Sequence, residues 1–229
     1  MRVVTWNVHA CVGRDGRFDP LRVASILRGL SPDIVALQEV DSRRRRTHGL
    51  DVFVFFREHF GGHAAEARTI ATADGDYGHM VMSRWPLGYP RVHNISMTGR
   101  EARAIIDVEA HSPFGPIRVF GAHFGLKRRE RRKQTAALRA VVAREYDGAA
   151  IVFGDFNELR RRSATHRALA PTFHACPIFA TFPSRRPLFA LDRIWCRPPL
   201  RVGRGHVLRG AGAASDHLPL IADLDWIGA

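Results

Sequence analysis

The sequence predicts one mixed-sheet α/β domain spanning residues 1–229. Three observations carry that prediction. Apolar or β-branched runs stop abruptly at polar residues, and two stretches between such runs repeat apolar residues at helical spacing. One Pro- and Gly-rich turn separates two strand-like segments, so antiparallel pairing coexists with helical crossovers.

The first run, Val3-Val4-Thr5-Trp6, ends at Asn7. Asp19-Pro20 supplies an N-cap with proline at the first helical position, and Val23, Ile26, Leu27 and Leu30 recur at helical spacing until Ser31-Pro32 stops them. That helix leads into a second run, Ile34 to Gln38, ending at Glu39. Phe53, Phe55, Phe56 and Phe60 form an aromatic-rich stretch that reads as strand core or as a surface for stacking. Arg103 to Ala110 and Ile117 to Ala122 flank Ser112-Pro113-Phe114-Gly115-Pro116 as a hairpin whose second arm runs into His123. A second helix is expected over residues 129–144, with Leu138, Val141 and Val142 on its buried side. Ala149 to Phe153 then ends in Gly154-Asp155-Phe156-Asn157, where strand geometry turns Asp155 and Asn157 to one face. An unpaired carboxylate there is costly, so a cation, or a phosphate held by one, is the expected partner. Leu191 to Trp195 carries Asp192, and Ser215-Asp216-His217 precedes a last apolar segment, Leu218 to Leu224.

With 45% hydrophobic residues the chain can bury a substantial core, and glycine and proline are scattered rather than pooled in a linker. No apolar stretch approaches the roughly 20 residues of a membrane span. A strand under way by Val3 leaves no room for a signal peptide, so a soluble, cytoplasmic monomer is expected. Three cysteines, Cys11, Cys176 and Cys196, are odd in number and lack metal-site spacing, which fits a reducing compartment. Cys11 either approaches Asn7 or packs as a buried thiol, the ordinary behaviour of free cysteine.

A net charge of +13 points to a polyanionic partner, nucleic acid or an anionic membrane surface. Arginine supplies nearly all of it, Lys127 and Lys133 being the lysines, and alanine is abundant, a composition that a GC-rich genome also produces. Clustering says more than the total. Arg43 to Arg46, Lys127 to Lys133 and Arg160 to Arg162 each follow soon after a strand-end polar residue, and they either rim a shared mouth or form solvated faces.

Taken singly, Asn7, Glu39, Asp155 or Ser215 reads as a cap, turn or surface residue; together they form a pattern. Asn7, Glu39, Asp155, Asn157 and Asp216 offer only oxygen ligands, which suit Mg²⁺ or Mn²⁺ rather than zinc. Such a cation leaves positions for water and phosphate oxygens, so phosphoester hydrolysis follows as the reaction class. Glu39 with Asn7 would hold the metal, Asp155 would orient or deprotonate water, and His123 and His217 would donate hydrogen bonds to the pentavalent phosphorus. Asp192 is the candidate partner fixing the His217 tautomer.

In order, Thr5-Trp6-Asn7, Leu37-Gln38-Glu39-Val40, Tyr77-Gly78 with Ser83-Arg84-Trp85-Pro86, Ala122-His123-Phe124, Gly154-Asp155-Phe156-Asn157, Leu191-Asp192-Arg193-Ile194 and Ser215-Asp216-His217 resemble the endonuclease/exonuclease/phosphatase superfamily over essentially the whole chain. The resemblance implies a DNase I-like four-layer α/β sandwich: two packed mixed sheets flanked by helices, with the site at one end. It further implies a divalent metal at Glu39 with contributions from Asn7 and Asp216, Asp155 and Asn157 at the nucleophile and phosphate, and an Asp192–His217 pair. Tyr77 joins the implied phosphate-contacting set. Many relatives carry asparagine where this chain has His79, which is therefore either a phosphate contact or a packed histidine. Arg103, better placed than Arg100, is either a phosphate contact or an ion-pair partner of Glu101 or Glu109.

Three substrate readings follow. A nuclease is favoured by the basic balance. A phospholipid or headgroup phosphodiesterase is the alternative, since the stretch from Asn7 through Gly13 to Asp19 and on to Asp41 looks like that of compact bacterial members, some suspected of lipid-related roles. A non-catalytic arginine-rich nucleic-acid binder is the third, and it expects loss of acidic or histidine positions that are all present here.

Overall fold

Both faces of the central strands are covered, which is why they read as continuous apolar runs rather than alternating ones. The computed structural model describes residues 1–43, 47–143 and 148–227. Its strands are β1 (Arg2–Asn7), β2 (Ile34–Asp41), β3 (Ala64–Thr72), β4 (Gly75–Ser83), β5 (Arg91–Asn94), β6 (Ala104–Ser112), β7 (Gly115–His123), β8 (Ala150–Asp155), β9 (His174–Ala175), β10 (Asp192–Arg197), β11 (Leu200–Val207) and β12 (Leu220–Trp226). Helices are α1 (Pro20–Leu30), α2 (Val52–His59), α3 (Arg128–Val142) and α4 (Ala164–Leu169).

Among the described residues the strands form two six-stranded sheets, ordered β11-β12-β1-β2-β4-β3 and β5-β6-β7-β8-β10-β9. Inward-facing Val3, Ile34, Ala36 and Val81 of the first sheet pack on Ile106, Val119, Ile151, Phe153 and Ile194 of the second. The outer face of the first sheet, with Val4, Val35, Leu37 and Met82, is covered by Val23 and Leu27 of α1 and Phe53 and Phe56 of α2. On the second, Ile105, Phe120, Val152 and Trp195 lie under Leu138, Val141 and Val142 of α3 and Leu169 of α4. These are the four layers of the sandwich.

Each sheet contains one parallel pair, β1–β2 and β7–β8, with the remaining pairings antiparallel. A helix crosses between the members of each pair: α1 in the first sheet, α3 in the second. Asp19 caps α1 by accepting the Arg22 amide at 2.9 Å, and Ser31 ends it in the left-handed region. Helix α3 starts one residue before the expected position and its described span ends at Val142; Arg144 and Arg44 to Arg46 lie outside the described residues. The aromatic stretch is helix, not strand: Asp51 accepts the Phe53 and Val54 amides, and Phe53 and Phe56, three apart, both reach the core. The β6–β7 hairpin closes where expected, with Ser112 opposite Gly115.

Parallel pairing sends the C-terminal ends of β1, β2, β7 and β8 to the same end of the sandwich, bringing Asn7, Glu39, His123 and Asp155 there. Two local distortions aim the side chains. The β2–β4 register shifts between Gln38 and Val40, leaving Glu39 bulged with φ 56°. Gly154 sits at φ 147°, and a β-carbon there would lie 1.9 Å from the Ala122 carbonyl oxygen on β7. The parallel ladder can be this close only because residue 154 has no side chain. Gly154→Ala is therefore expected to destabilise the fold by about 2 kcal/mol or more, read as a lowered urea midpoint; an unchanged midpoint would contradict the close approach.

Candidate active site

Asp155, at the end of β8, is only 1% exposed. Its Oδ2 accepts the Asn7 Nδ2 hydrogen at 3.1 Å from the other sheet, and its Oδ1 accepts the Asn157 backbone amide at 2.9 Å. Asn7 also donates to Glu39 Oε1 at 2.9 Å, so one amide clamps two carboxylates. Its Oδ1 is held by the His9 amide at 3.0 Å. Burial first, and then the charge of Asp192, push the Asp155 carboxyl up to about 6, against the lowering effect of His217, Asn7 and the Asn157 amide.

Two histidines face this carboxylate in opposite charge states. His217 Nδ1 lies 2.9 Å from Asp192 Oδ2, and its Nε2 lies 3.9 Å from Asp155 Oδ2. Burial alone would lower its pKa, but the Asp192 charge and hydrogen bond, with Asp155 and Asp216, raise it to about 10. His217 is thus an imidazolium at neutral pH, donating from Nδ1 to Asp192 and aiming Nε2–H at the site.

His123 is the reverse. Burial, then the Arg103 charge, hold it well below the ordinary imidazole value, so it is neutral. Arg103 Nη1 donates to His123 Nδ1 at 3.2 Å, which places the remaining proton on Nε2. That nitrogen lies 3.8 Å from Asp155 Oδ2 and 4.0 Å from Glu39 Oε1. Each histidine therefore offers an N–H to the space beside Asp155, one as a cation and one as a neutral donor.

The other expected residues sit around this group. Arg103 is buried; of its two candidate roles the structure has the ion pair, with Glu101, and the guanidinium also donates to His123. Burial, then the Glu39 charge, raise the Tyr77 phenol, which stays protonated, and its ring lies under the Arg43 guanidinium at 5.1 Å. His79 is fully enclosed on the inner face of β4; burial and the Arg103 charge lower it to about 3, and its buried Nε2 has no hydrogen-bond partner among the described residues. Asn157, in the left-handed region at φ 51°, donates its side-chain amide to the Phe124 carbonyl at 2.9 Å. Asp216 lies at the edge, its Oδ1 4.0 Å from His9 Nδ1. Cys11 is buried, which pushes its thiol up. Arg43 is paired with Asp41 at 2.7 Å.

Four residues fix this geometry, of which sequence reasoning gave a partner only to Glu101, as a candidate ion pair for Arg103. Ser215 donates to the Asn7 carbonyl at 2.7 Å and accepts the His217 amide at 3.1 Å. Trp6 donates its indole N–H to the His217 carbonyl at 3.0 Å. The Phe182 ring rests 4.9 Å from the His217 ring, and Glu101 holds Arg103. Ser215 and Trp6 lie within quoted motifs; for Phe182 no local pattern signals the contact.

A model of the Endonuclease/Exonuclease/phosphatase family matches residues 4–217. The chain is 30% identical over 251 aligned residues to the uncharacterized protein YbhP of Escherichia coli K12, covering 97% of this chain and 95% of that protein. A solved endonuclease/exonuclease/phosphatase structure from Beutenbergia cavernae matches with TM-score 0.82 and 22% identity, over 100% of this chain and 72% of that one. A mannosyl-6-phosphatase of Bacteroides thetaiotaomicron matches with TM-score 0.74 and 15% identity, over 99% of this chain and 100% of that one. At these identities the solved structures share the fold.

Two outcomes test the electrostatics. The folded pKa of His217, about 10, lies above its ordinary 6.5. Its stabilising contribution is therefore full below 6.5 and is lost as pH rises through about 10. An NMR titration should show the ring protonated through neutral pH, and Asp192→Asn should return it to the ordinary imidazole range or below; a neutral ring at pH 7 in the unsubstituted protein would refute the assignment. For Asp155 the folded value, about 6, exceeds the ordinary 3.8, so protonation stabilises the fold as pH falls across that window and ionisation costs stability above it. Metal-free Asp155→Asn is expected to melt about 2–4 °C higher than the unsubstituted protein at pH 7.5, measured by calorimetry.

Proposed function

We propose that this chain, which belongs to the endonuclease/exonuclease/phosphatase family, is a divalent-metal-dependent phosphodiester hydrolase. The observation that carries the reading is the pair of histidine N–H donors, one cationic and one neutral, converging beside a buried carboxylate poised near neutrality. Titratable groups driven apart in this way mark acid and base assignments.

The donor set on the Glu39 side fits a hard cation. Glu39 Oε2 and Asp216 Oδ2 have no hydrogen-bond partner among the described residues, both side chains are part-exposed, and every available atom is oxygen. Glu39, Asp216 and, through its amide oxygen, Asn7 would hold Mg²⁺ or Mn²⁺, which would neutralise charge on the phosphoryl oxygens. Asp155, Asp192 and His217 also bring three ligand atoms within 4.8 Å of one another. A protonated histidine already bonded to Asp192 suits that trio to holding a proton, since a metal ligand must be deprotonated.

In this reading Asp155 positions water and accepts its proton as the oxygen attacks phosphorus, a role suited to a carboxyl titrating near 6. His217 Nε2–H and His123 Nε2–H donate to the oxygens on which negative charge grows, and burial strengthens both bonds. Asp192 keeps His217 charged; Arg103 keeps His123 neutral with its proton facing the site. Tyr77 supplies a further O–H beside Glu39. Asn157 acts behind Asp155, orienting it through the backbone amide.

The net charge of +13 favours a polyanionic substrate, with nucleic acid as the first expectation. Exposed leucines on the loops around the site favour a second reading, a phosphodiester within an anionic lipid surface. Turnover of bis(p-nitrophenyl) phosphate, plasmid DNA, RNA and phospholipid, each with Mg²⁺, Mn²⁺ or EDTA, tests the class. Asp155→Ala and His217→Ala should each lower kcat by about 10²- to 10⁴-fold, and EDTA should abolish turnover. EDTA-resistant activity, or activity untouched by both substitutions, would overturn the reading.

A further inference from the structure

We infer that the loops framing the site form a docking rim for an anionic lipid surface, a deepening that rests on the phosphodiester-hydrolase reading. The first observation is where exposed apolar side chains occur. Leu126, Leu159 and Leu188 are 69%, 62% and 73% exposed, and Phe189 is also exposed. Isolated surface leucines are ordinary. These four, however, lie on three loops at one end of the molecule: Leu126 is three residues beyond His123, Leu159 two beyond Asn157, and Leu188 and Phe189 shortly before Asp192.

The second observation is unbalanced charge on those loops and on the first turns of α3. Elsewhere several arginines are paired with carboxylates, as in Arg2–Asp223, Arg57–Glu66, Arg84–Asp33 and Arg118–Asp107, while others, such as Arg28, Arg91 and Arg204, have no such partner among the described residues. Among the described residues, Arg128, Arg132, Arg160, Arg162, Arg185 and Arg186 have no such partner. Four of these, Arg128, Arg132, Arg160 and Arg162, line one cleft of about 270 Å³ together with Leu159. Among the described residues the cleft's one carboxylate is Glu158, which is buried and whose Oε2 has no hydrogen-bond partner. Unpaired guanidinium groups alternating with aliphatic tips match a surface with anionic headgroups over an acyl layer. A nucleic acid would be met by aromatic side chains able to stack on bases; of the four rim tips Phe189 alone has such a face, and the other three are leucines.

The third observation is that Leu188, the most exposed of these four tips, is tied to the chemistry by hydrogen bonds. Phe182 and Phe189 form a two-way bridge, with the Phe182 amide on the Phe189 carbonyl at 3.0 Å and the return bond at 2.8 Å. Arg185, Arg186 and Leu188 project from the turn between them. The base of the turn is anchored by Ser184, whose amide donates to the Asp216 carbonyl at 2.7 Å and whose hydroxyl meets the Ser215 carbonyl at 2.7 Å. The Phe182 ring rests on His217. A surface engaged by Leu188 is thereby held at a fixed height from the histidine that faces the phosphate.

Cosedimentation with vesicles tests the docking, using phosphatidylcholine alone and phosphatidylcholine mixed with phosphatidylglycerol. The protein should bind the anionic vesicles about tenfold or more tightly than the neutral ones. Leu126→Ser/Leu159→Ser/Leu188→Ser should lower that binding by about tenfold or more, and Arg185→Glu/Arg186→Glu should lower it by a similar factor. In both variants turnover of soluble bis(p-nitrophenyl) phosphate should stay within about twofold and melting should be unchanged, because exposed positions tolerate substitution. Two results would overturn the inference: undiminished vesicle binding by the leucine variant, or tighter binding of duplex DNA than of anionic vesicles at equal salt. Vesicle binding without soluble turnover would sink the hydrolase reading alone; soluble turnover without vesicle binding would sink the docking rim alone.

Discussion

Asp155 is a carboxylate almost completely withdrawn from water at the seam of two sheets, and the surrounding structure is organised around the cost of keeping it there. Removing such a group from solvent costs several kcal/mol unless hydrogen bonds and opposite charge compensate. The compensation comes from both sheets: the Asn7 amide from β1, the Asn157 amide beyond β8, and the His217 cation from the segment before β12. His217 is in turn buried and needs Asp192 from β10. A polar network of this kind holds only if its members are all in place, so this end of the sandwich also fixes how the two sheets meet.

Strain is concentrated at the same end. Glu39 and Asn157 occupy left-handed backbone, which costs about 1–3 kcal/mol for a non-glycine residue, and β2 carries its register shift at Glu39. Regular strands would have directed these side chains along the pleat instead of toward the shared space. The continuous apolar packing between the sheets, from Val3 and Ile34 to Phe153 and Ile194, supplies the stability that offsets such distortion. Rigidity in the core and departure from regularity at the rim are two parts of one arrangement.

Charge is likewise partitioned. Along the outer edges arginines meet acids, as Arg68 does with Asp51, Glu66 and Asp76. Around the mouth Arg103 and Arg43 are also paired, but Arg128, Arg132, Arg160, Arg162, Arg185 and Arg186 have no carboxylate partner among the described residues, so their positive potential remains available to an anionic partner. Total charge is a poor guide to function for that reason. The informative quantity is which guanidinium groups the fold leaves unpaired, and beside what other side chains.

Much of the fold and part of the site were legible in the chain itself. Asp19-Pro20 specified a helix start by chemistry that acts over a few residues, and apolar runs ending at Asn7, Glu39, His123 and Asp155 marked strands buried on both faces. The ordered motifs predicted the four-layer sandwich, because backbone propensity and burial pattern are local properties. The Phe53 to Phe60 stretch misled because a short apolar run does not distinguish a buried strand from a buried helix; the Asp51 cap and packing beneath it decided. Although Asp192 was the expected partner of His217, the opposite charge states of His123 and His217 could not be read from sequence. They depend on Arg103 and Asp192, lying 20 and 25 residues away along the chain but 3.2 and 2.9 Å away in space. The chain alone thus determined which residue types reach the end of the sandwich, whereas only the tertiary structure decided which nitrogen carries a proton, because desolvation and charge act through distance and not through sequence separation.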